Sequence, residues 1–192
     1  MNATIDILNR VIRTRRSIFP RSYLRKEIPR SIIEEMLANA TFAPSHKLTQ
    51  PWKFRVFRKK GLERLAGELS RLYQENTPAD RFLTTKYEAT RNKVLQSDSV
   101  IAIVLKAHPE KLPEWEELAS VACAVQNMWL TETAHGVGAY WISPGIISQL
   151  GAFLELSPLE KCVGLFYMGI HQETPVEAKR ISPEEKTTWI EE

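Results

Sequence analysis

The stretch 118–130 reads Leu-Ala-Ser-Val-Ala-Cys-Ala-Val-Gln-Asn-Met-Trp-Leu and sits inside a longer helical pattern, 115–135, with Gly136 as a natural stop in the C′ position. Ala119, Val121, Ala122, Cys123, Ala124, Val125, Met128 and Trp129 leave that helix apolar nearly all round. Such a helix must be enclosed, either in the core of its own chain or by a second subunit. A second segment is equally restrictive. Residues 99–105, Ser-Val-Ile-Ala-Ile-Val-Leu, are apolar on both faces, which marks a central strand covered on each side. The chain of 192 residues is long enough to bury both in one α/β domain and short for two, so 1–192 reads as a single domain.

The remaining elements follow from period and punctuation. Ile5, Leu8, Val11 and Ile12 line one face of an N-terminal helix. Ile28-Pro29 opens a second, carrying Ile32, Ile33, Met36, Leu37 and Ala40. A loop over 42–51 leads to an alternating strand at 52–57, with Trp52, Phe54 and Val56 on one face. A third helix spans about 62–73, and the polar stretch 74–96 is a helical or mobile surface excursion. Strands are expected at 137–142 and 162–170, with the turn Ser143-Pro144-Gly145 and a short helix at 147–154 between them. The polar tail 171–192 must lie on something to be ordered. Trp115, Trp129 and Trp189 read as packing residues, and Cys123 and Cys162, without CxxC spacing, as small buried thiols of a reducing compartment. No run approaches about 18 apolar residues, and no secretory h-region is evident, so the expectation is a cytoplasmic chain without a membrane span.

Charge is unevenly spread. Residues 1–30 hold Arg10, Arg13, Arg15, Arg16, Arg21, Arg25, Lys26 and Arg30 against Asp6 and Glu27, in a chain whose net charge is only +3. A local positive field on an otherwise slightly acidic protein favours an anionic ligand at one place. Nucleic acid, a transit peptide or a plain solvated helix face would suit charge alone. The hydrolytic signatures GxSxG, Walker A and HExxH are missing, and Gly136-Val137-Gly138 does not continue into a dinucleotide fingerprint. The four histidines show no metal-ligand spacing. What remains is Thr14-Arg15-Arg16-Ser17-Ile18 at the end of the first helix, two guanidiniums and a hydroxyl suited to phosphate and ribityl oxygens.

Arg15-Arg16-Ser17 is followed by Ala43-Pro44-Ser45-His46-Lys47 and then Gln50-Pro51-Trp52-Lys53-Phe54. Pro113-Glu114-Trp115 then leads into the apolar helix, with 135–141 and Tyr167-Met168-Gly169 beyond it. In this order the chain resembles the FMN-dependent nitroreductase family over almost its whole length, closest to the short members. The resemblance implies an α+β fold, a three-layer α/β/α sandwich with a mostly antiparallel sheet, forming an intertwined homodimer with shared flavin sites. It implies an enzyme passing electrons from NAD(P)H through FMN to a nitroaromatic, quinone or similar small electrophile by a ping-pong route. A non-catalytic flavin-binding protein is the alternative. Neither reading requires a protein acid–base residue, a metal, nucleic acid or a membrane.

Residue by residue, the resemblance places Arg15, Arg16 and Ser17 on the flavin phosphate and ribityl chain. Phe42 and His46 match loop positions that reach the flavin from the partner subunit. Trp141, Ile142 and Ser143 match the strand end whose backbone lies along the ring. Lys179-Arg180 matches a basic pair near the phosphate. Thr131, Glu132, Thr133, Ala134, His135 and Gly136 match a stretch linked with the nicotinamide nucleotide. One departure stands out: many relatives carry Asn two residues before Gln-Pro-Trp, where this chain has Leu48.

Overall fold

The computed structural model describes residues 3–191. The chain forms α1 (Ala3–Thr14), α2 (Arg30–Ala40), β1 (Trp52–Arg58), α3 (Lys60–Glu75), α4 (Thr84–Leu95), β2 (Ser99–Lys106), α5 (Glu114–Ala134), β3 (Val137–Ile142) and β4 (Glu160–Ile170). The strands make one sheet in the order β1-β2-β4-β3, with every neighbouring pair antiparallel. This is the α+β three-layer arrangement implied by the resemblance.

β2 occupies the interior and its apolar run explains why. Ile101, Ile103 and Leu105 face α2 and α5, packing with Ile33, Met36, Val125 and Met128. Val100 and Ala102 face the other way, onto Leu65, Leu69 and Leu72 of α3 and Val94 of α4. A strand with apolar residues on both faces therefore fixes both helical layers. Burying a Leu or Ile side chain in such a core contributes roughly 1.5–3 kcal/mol.

At the β1 end, Asp98 ties the chain before α2 to the sheet. It accepts from Ile28 N at 3.1 Å and from Arg58 Nη2 at 3.0 Å, while the same guanidinium donates to the Ile28 carbonyl at 2.8 Å. Further along the sheet, the Trp141 indole lies directly on Gly164, where an added Cβ would fall 1.8 Å from Nε1. Gly164→Ala must displace that ring, at a cost of about 1–3 kcal/mol. Urea unfolding should show this as a lowered midpoint with an unchanged slope; an unaltered midpoint would mean that the ring moves freely.

The structure decides between alternatives for some elements and corrects others. The polar stretch 74–96 is largely helical: a short turn, Ala79–Arg81, precedes α4, which is held to α3 through Tyr73 and Phe82, with ring centroids 5.5 Å apart. α5 is not enclosed by its own chain. Val121, Ala124, Val125 and Met128 are buried, but Leu118 and Cys123 are exposed and Trp115 is 68% exposed. Cys123 is thus no buried thiol, although Cys162 is. Trp115 and Trp189 do not pack in the core, and of the three tryptophans read as packing residues only Trp129 does, edge-on to Phe166 at 5.5 Å. α1 buries none of its residues, and Ile5, Ile7, Leu8 and Ile12 all remain open. No helix among the described residues is long and apolar enough to cross a membrane.

The tail finds its support on the end of α1. Ala178 N donates to the Arg13 carbonyl at 3.2 Å, and Arg16 Nη2 donates to the Val176 carbonyl.

Candidate active site

α1 ends at Thr14, where the chain turns to run beside β3. Ile18 N donates to the Ala139 carbonyl at 2.9 Å, and Trp129 Nε1 of α5 donates to the Arg16 carbonyl at 3.2 Å. Residues 15–18 are therefore fixed to a strand and a helix at once. The Arg15 guanidinium sits 4.4 Å from the centroid of the Trp129 ring, a cation–π contact that holds it in one place.

Around this segment the structure gathers Arg15, Arg16 and Ser17 with Lys179 and Arg180 of the tail, lining a cleft of about 500 Å³. Four cations share that space with a single acid, Glu177. Burial lowers the Arg15 pKa, Arg180 lowers it further, and Glu132 opposes them. Arg16 Nε is buried and has no hydrogen-bond partner. An unpaired buried donor costs about 1–3 kcal/mol, so an arriving oxyanion would recover that loss. Cations, an orphaned donor and an exposed serine hydroxyl together fit a phosphate monoester.

A second cleft, about 300 Å³, adjoins the first through Arg16 and Val176. Of the residues expected at the nucleotide, Glu132, Thr133 and Gly136 line it. Gly136, at φ +68°, closes α5 in the left-handed conformation anticipated from sequence. Thr131 is engaged elsewhere, accepting from Asn39 Nδ2 at 3.0 Å, and His135 Nε2 is paired with Glu35 at 3.0 Å. Ala134 is exposed and does not line the cleft. Glu132 is the anomaly: 1% exposed, with Oε2 unpartnered and its carboxyl pushed well above the usual range by burial, against the opposing effects of Thr133 and Arg15.

At the far end of β3, Ile142 opens onto a cavity of about 280 Å³, Ser143 is exposed, and Trp141 Nε1 is buried without a partner. Lys93 lines this cavity and also the adjoining one of about 460 Å³ beside Phe19 and Arg21. Lys93 lies 5.8 Å from the centroid of the Tyr140 ring. Sequence reading missed it, because it is one cation among several on a polar helix.

Phe42 and His46 lie elsewhere. His46 Nδ1 is 2.7 Å from Glu116 Oε2, so Nδ1 carries the hydrogen towards the carboxylate and Nε2 is left available. The loop is pinned by Ser45 Oγ, which accepts from Gln50 N at 2.8 Å, and by Lys47 Nζ on the Lys111 carbonyl at 2.7 Å. Lys47, Leu48 and Gln50 all have positive φ, of 50°, 52° and 46°. Leu48, 80% exposed, occupies a left-handed position that Asn would adopt with less strain. Phe42 is 83% exposed. The turn of α5 bearing Glu116 is about 20 Å along the axis from that bearing Trp129, at ~1.5 Å per residue. One chain thus presents the basic cleft and His46 at opposite ends of its long helix.

Residues 12–170 match the sequence profile of the nitroreductase family. The chain belongs to that family. The Bacillus subtilis protein YfhC, by name a candidate NAD(P)H nitroreductase, is 24% identical over 178 residues, covering 91% of this chain and 90% of the relative. The similarly named YdjA of Escherichia coli strain K12 is 29% identical over 144 residues, covering 73% and 76%. In fold, a nitroreductase-like family protein from Bacillus cereus superposes with a TM-score of 0.82 at 23% identity, over 100% of this chain and 99% of the other. The FMN-dependent nitroreductase NfnB from Mycobacterium smegmatis, in complex with NADPH, gives 0.78 at 18% identity over 98% and 100%.

Proposed function

We propose that the chain, as one domain, is an FMN-dependent NAD(P)H oxidoreductase acting as a homodimer in a reducing cytoplasm and passing two electrons to a small electrophile by a ping-pong route. The observation that carries this reading is the cleft in which Arg15, Arg16, Lys179 and Arg180 converge beside Ser17, with Arg16 Nε buried and unpaired. That set fits the phosphate of FMN. Family membership and the FMN and NADPH of NfnB support the same assignment.

The bound flavin supplies the redox chemistry itself. The protein's residues bind and orient. Arg15 and Arg16 hold the phosphate through charge-assisted hydrogen bonds, each contributing about 1.5–3 kcal/mol. The backbone of Trp141, Ile142 and Ser143 would flank the ring, and Lys93, on the cavity that Ile142 lines, would add positive charge beside it. Phe42 and His46 come from the second subunit: a twofold pairing of α5 with α5 would set the His46 end of one chain against the Arg15 end of the other. The same pairing would cover Leu118, Cys123 and Trp115, and the unpaired thiols suit a reducing compartment. NAD(P)H approaches along Glu132, Thr133 and Gly136.

Anaerobic addition of NAD(P)H to the yellow protein should bleach its flavin band, and a quinone or nitroaromatic should restore it. A flavin that stays oxidised under excess NADH and NADPH would favour a storage or sensing role instead.

A further inference from the structure

Glu132 lies near the end of α5 and lines the second cleft, which shares Arg16 and Val176 with the basic one. Oε1 accepts from Thr133 Oγ1 at 3.2 Å, Oε2 is buried without a partner, and the carboxyl forms no ion pair within 4.0 Å among the described residues. The charged and titratable groups facing it come from every surrounding element. Arg15 and Arg16 lie at the end of α1, Tyr23 precedes α2, and His171 and Glu173 belong to the tail. Arg16 lines the same cleft with its own Nε unpaired.

A carboxylate at this point and a phosphate dianion in the adjoining cleft would compete for the Arg15 guanidinium and repel one another. We infer that Glu132 is a positioning residue which makes phosphate capture proton-coupled: the basic cleft receives the flavin phosphate with Glu132 in its neutral acid form. The inference rests on the FMN reading above. Burial already holds the carboxyl towards the neutral form, Thr133 and Arg15 opposing. With its pKa raised, Glu132 keeps its proton below the folded value and loses it as pH rises through that value. Ionised, it offsets the charge of Arg15 and weakens phosphate binding. A bound dianion raises the value further, so binding on the alkaline side takes up a proton. FMN affinity should therefore fall, by up to about tenfold per unit, as pH rises through that value, in addition to the change that the phosphate's own second ionisation (pKa about 6) brings.

The test is FMN binding to flavin-depleted protein between about pH 5 and 9.5, read by flavin fluorescence, for the native chain and for Glu132→Gln, the phosphate's own titration being common to both. The amide copies the shape of the neutral acid, and His171, Glu173 and Tyr23 are retained, so any pH dependence they contribute persists in both proteins. The expected result is affinity declining with pH in the native chain relative to the variant. Titration calorimetry on the native chain alone, in pairs of buffers of different ionisation enthalpy across the same pH range, provides a second readout that survives a variant that fails to fold. Uptake of up to one proton with FMN, and none with riboflavin, is expected. Parallel pH profiles, or no proton uptake, would overturn the role of Glu132 while leaving the FMN reading intact. If FMN does not bind at any pH, both fall.

Discussion

Replacing Arg15 and Arg16 together by alanine is expected to leave a folded, dimeric protein that purifies almost colourless. Both side chains line the basic cleft and neither forms an ion pair with an acid within 4.0 Å among the described residues; what is lost with them, the Arg15 contact with Trp129 and the Arg16 tether to Val176, lies outside the two cores. Their charge-assisted bonds to phosphate should contribute at least about 3 kcal/mol together, more than a hundredfold in FMN affinity. Flavin fluorescence on the dialysed protein measures this directly. Riboflavin, which lacks the phosphate, should bind the native and altered proteins alike. A double variant retaining full FMN occupancy would place the phosphate elsewhere.

The second large effect concerns assembly. Leu118→Glu puts a charge on the open face of α5, beside Trp115 and Cys123. If that face meets a second copy, the carboxylate must be desolvated there, at several kcal/mol, and twice per dimer. Light scattering should show the native chain as a dimer at micromolar concentration, with an interface of about 2,000 Å² or more, and the variant as a monomer that has lost its flavin. Mixed subunits sharpen the test. Chains lacking Arg15 and Arg16, combined with chains lacking His46, should form heterodimers with one intact and one doubly damaged site, restoring about half the activity. An inactive heterodimer would show that each flavin takes both contacts from one chain.

The physical reasons for success and failure in reading the sequence differ by element. β2 was unambiguous because seven successive residues without a polar face admit no half-exposed strand. α5 is legible as a helix, but what covers it is not, because an apolar circumference says that a helix is covered and not by which chain. α4 is legible only as one of two readings of a polar stretch, since it buries only Val94 and is held by rings on the preceding segment. Arg15, Arg16 and Ser17 stood out because charge was concentrated there. Lys179 and Arg180 converge on them through the path of the tail, which local sequence does not encode. The burial of Glu132 was equally hidden, since three acids stand in the first turn of α5 and nothing distinguishes the one near its other end. Thr131 and His135, expected at a ligand from the resemblance, hold α5 against α2, a packing role that their place in the sequence does not reveal.

The strap of tail lying over the end of α1 has a consequence for how the protein comes into being. Lys179 and Arg180 reach the cleft only because residues 176–178 are tethered to Arg13 and Arg16. The sheet and both cores are complete by Ile170, so the body of the fold does not depend on the strap, whereas the proposed phosphate cleft does. On the FMN reading, loading with the cofactor should be the last step of maturation. A nick near residue 175 would then return the molecule to a sturdy but empty shell, since the strap contributes much to binding and little to the core.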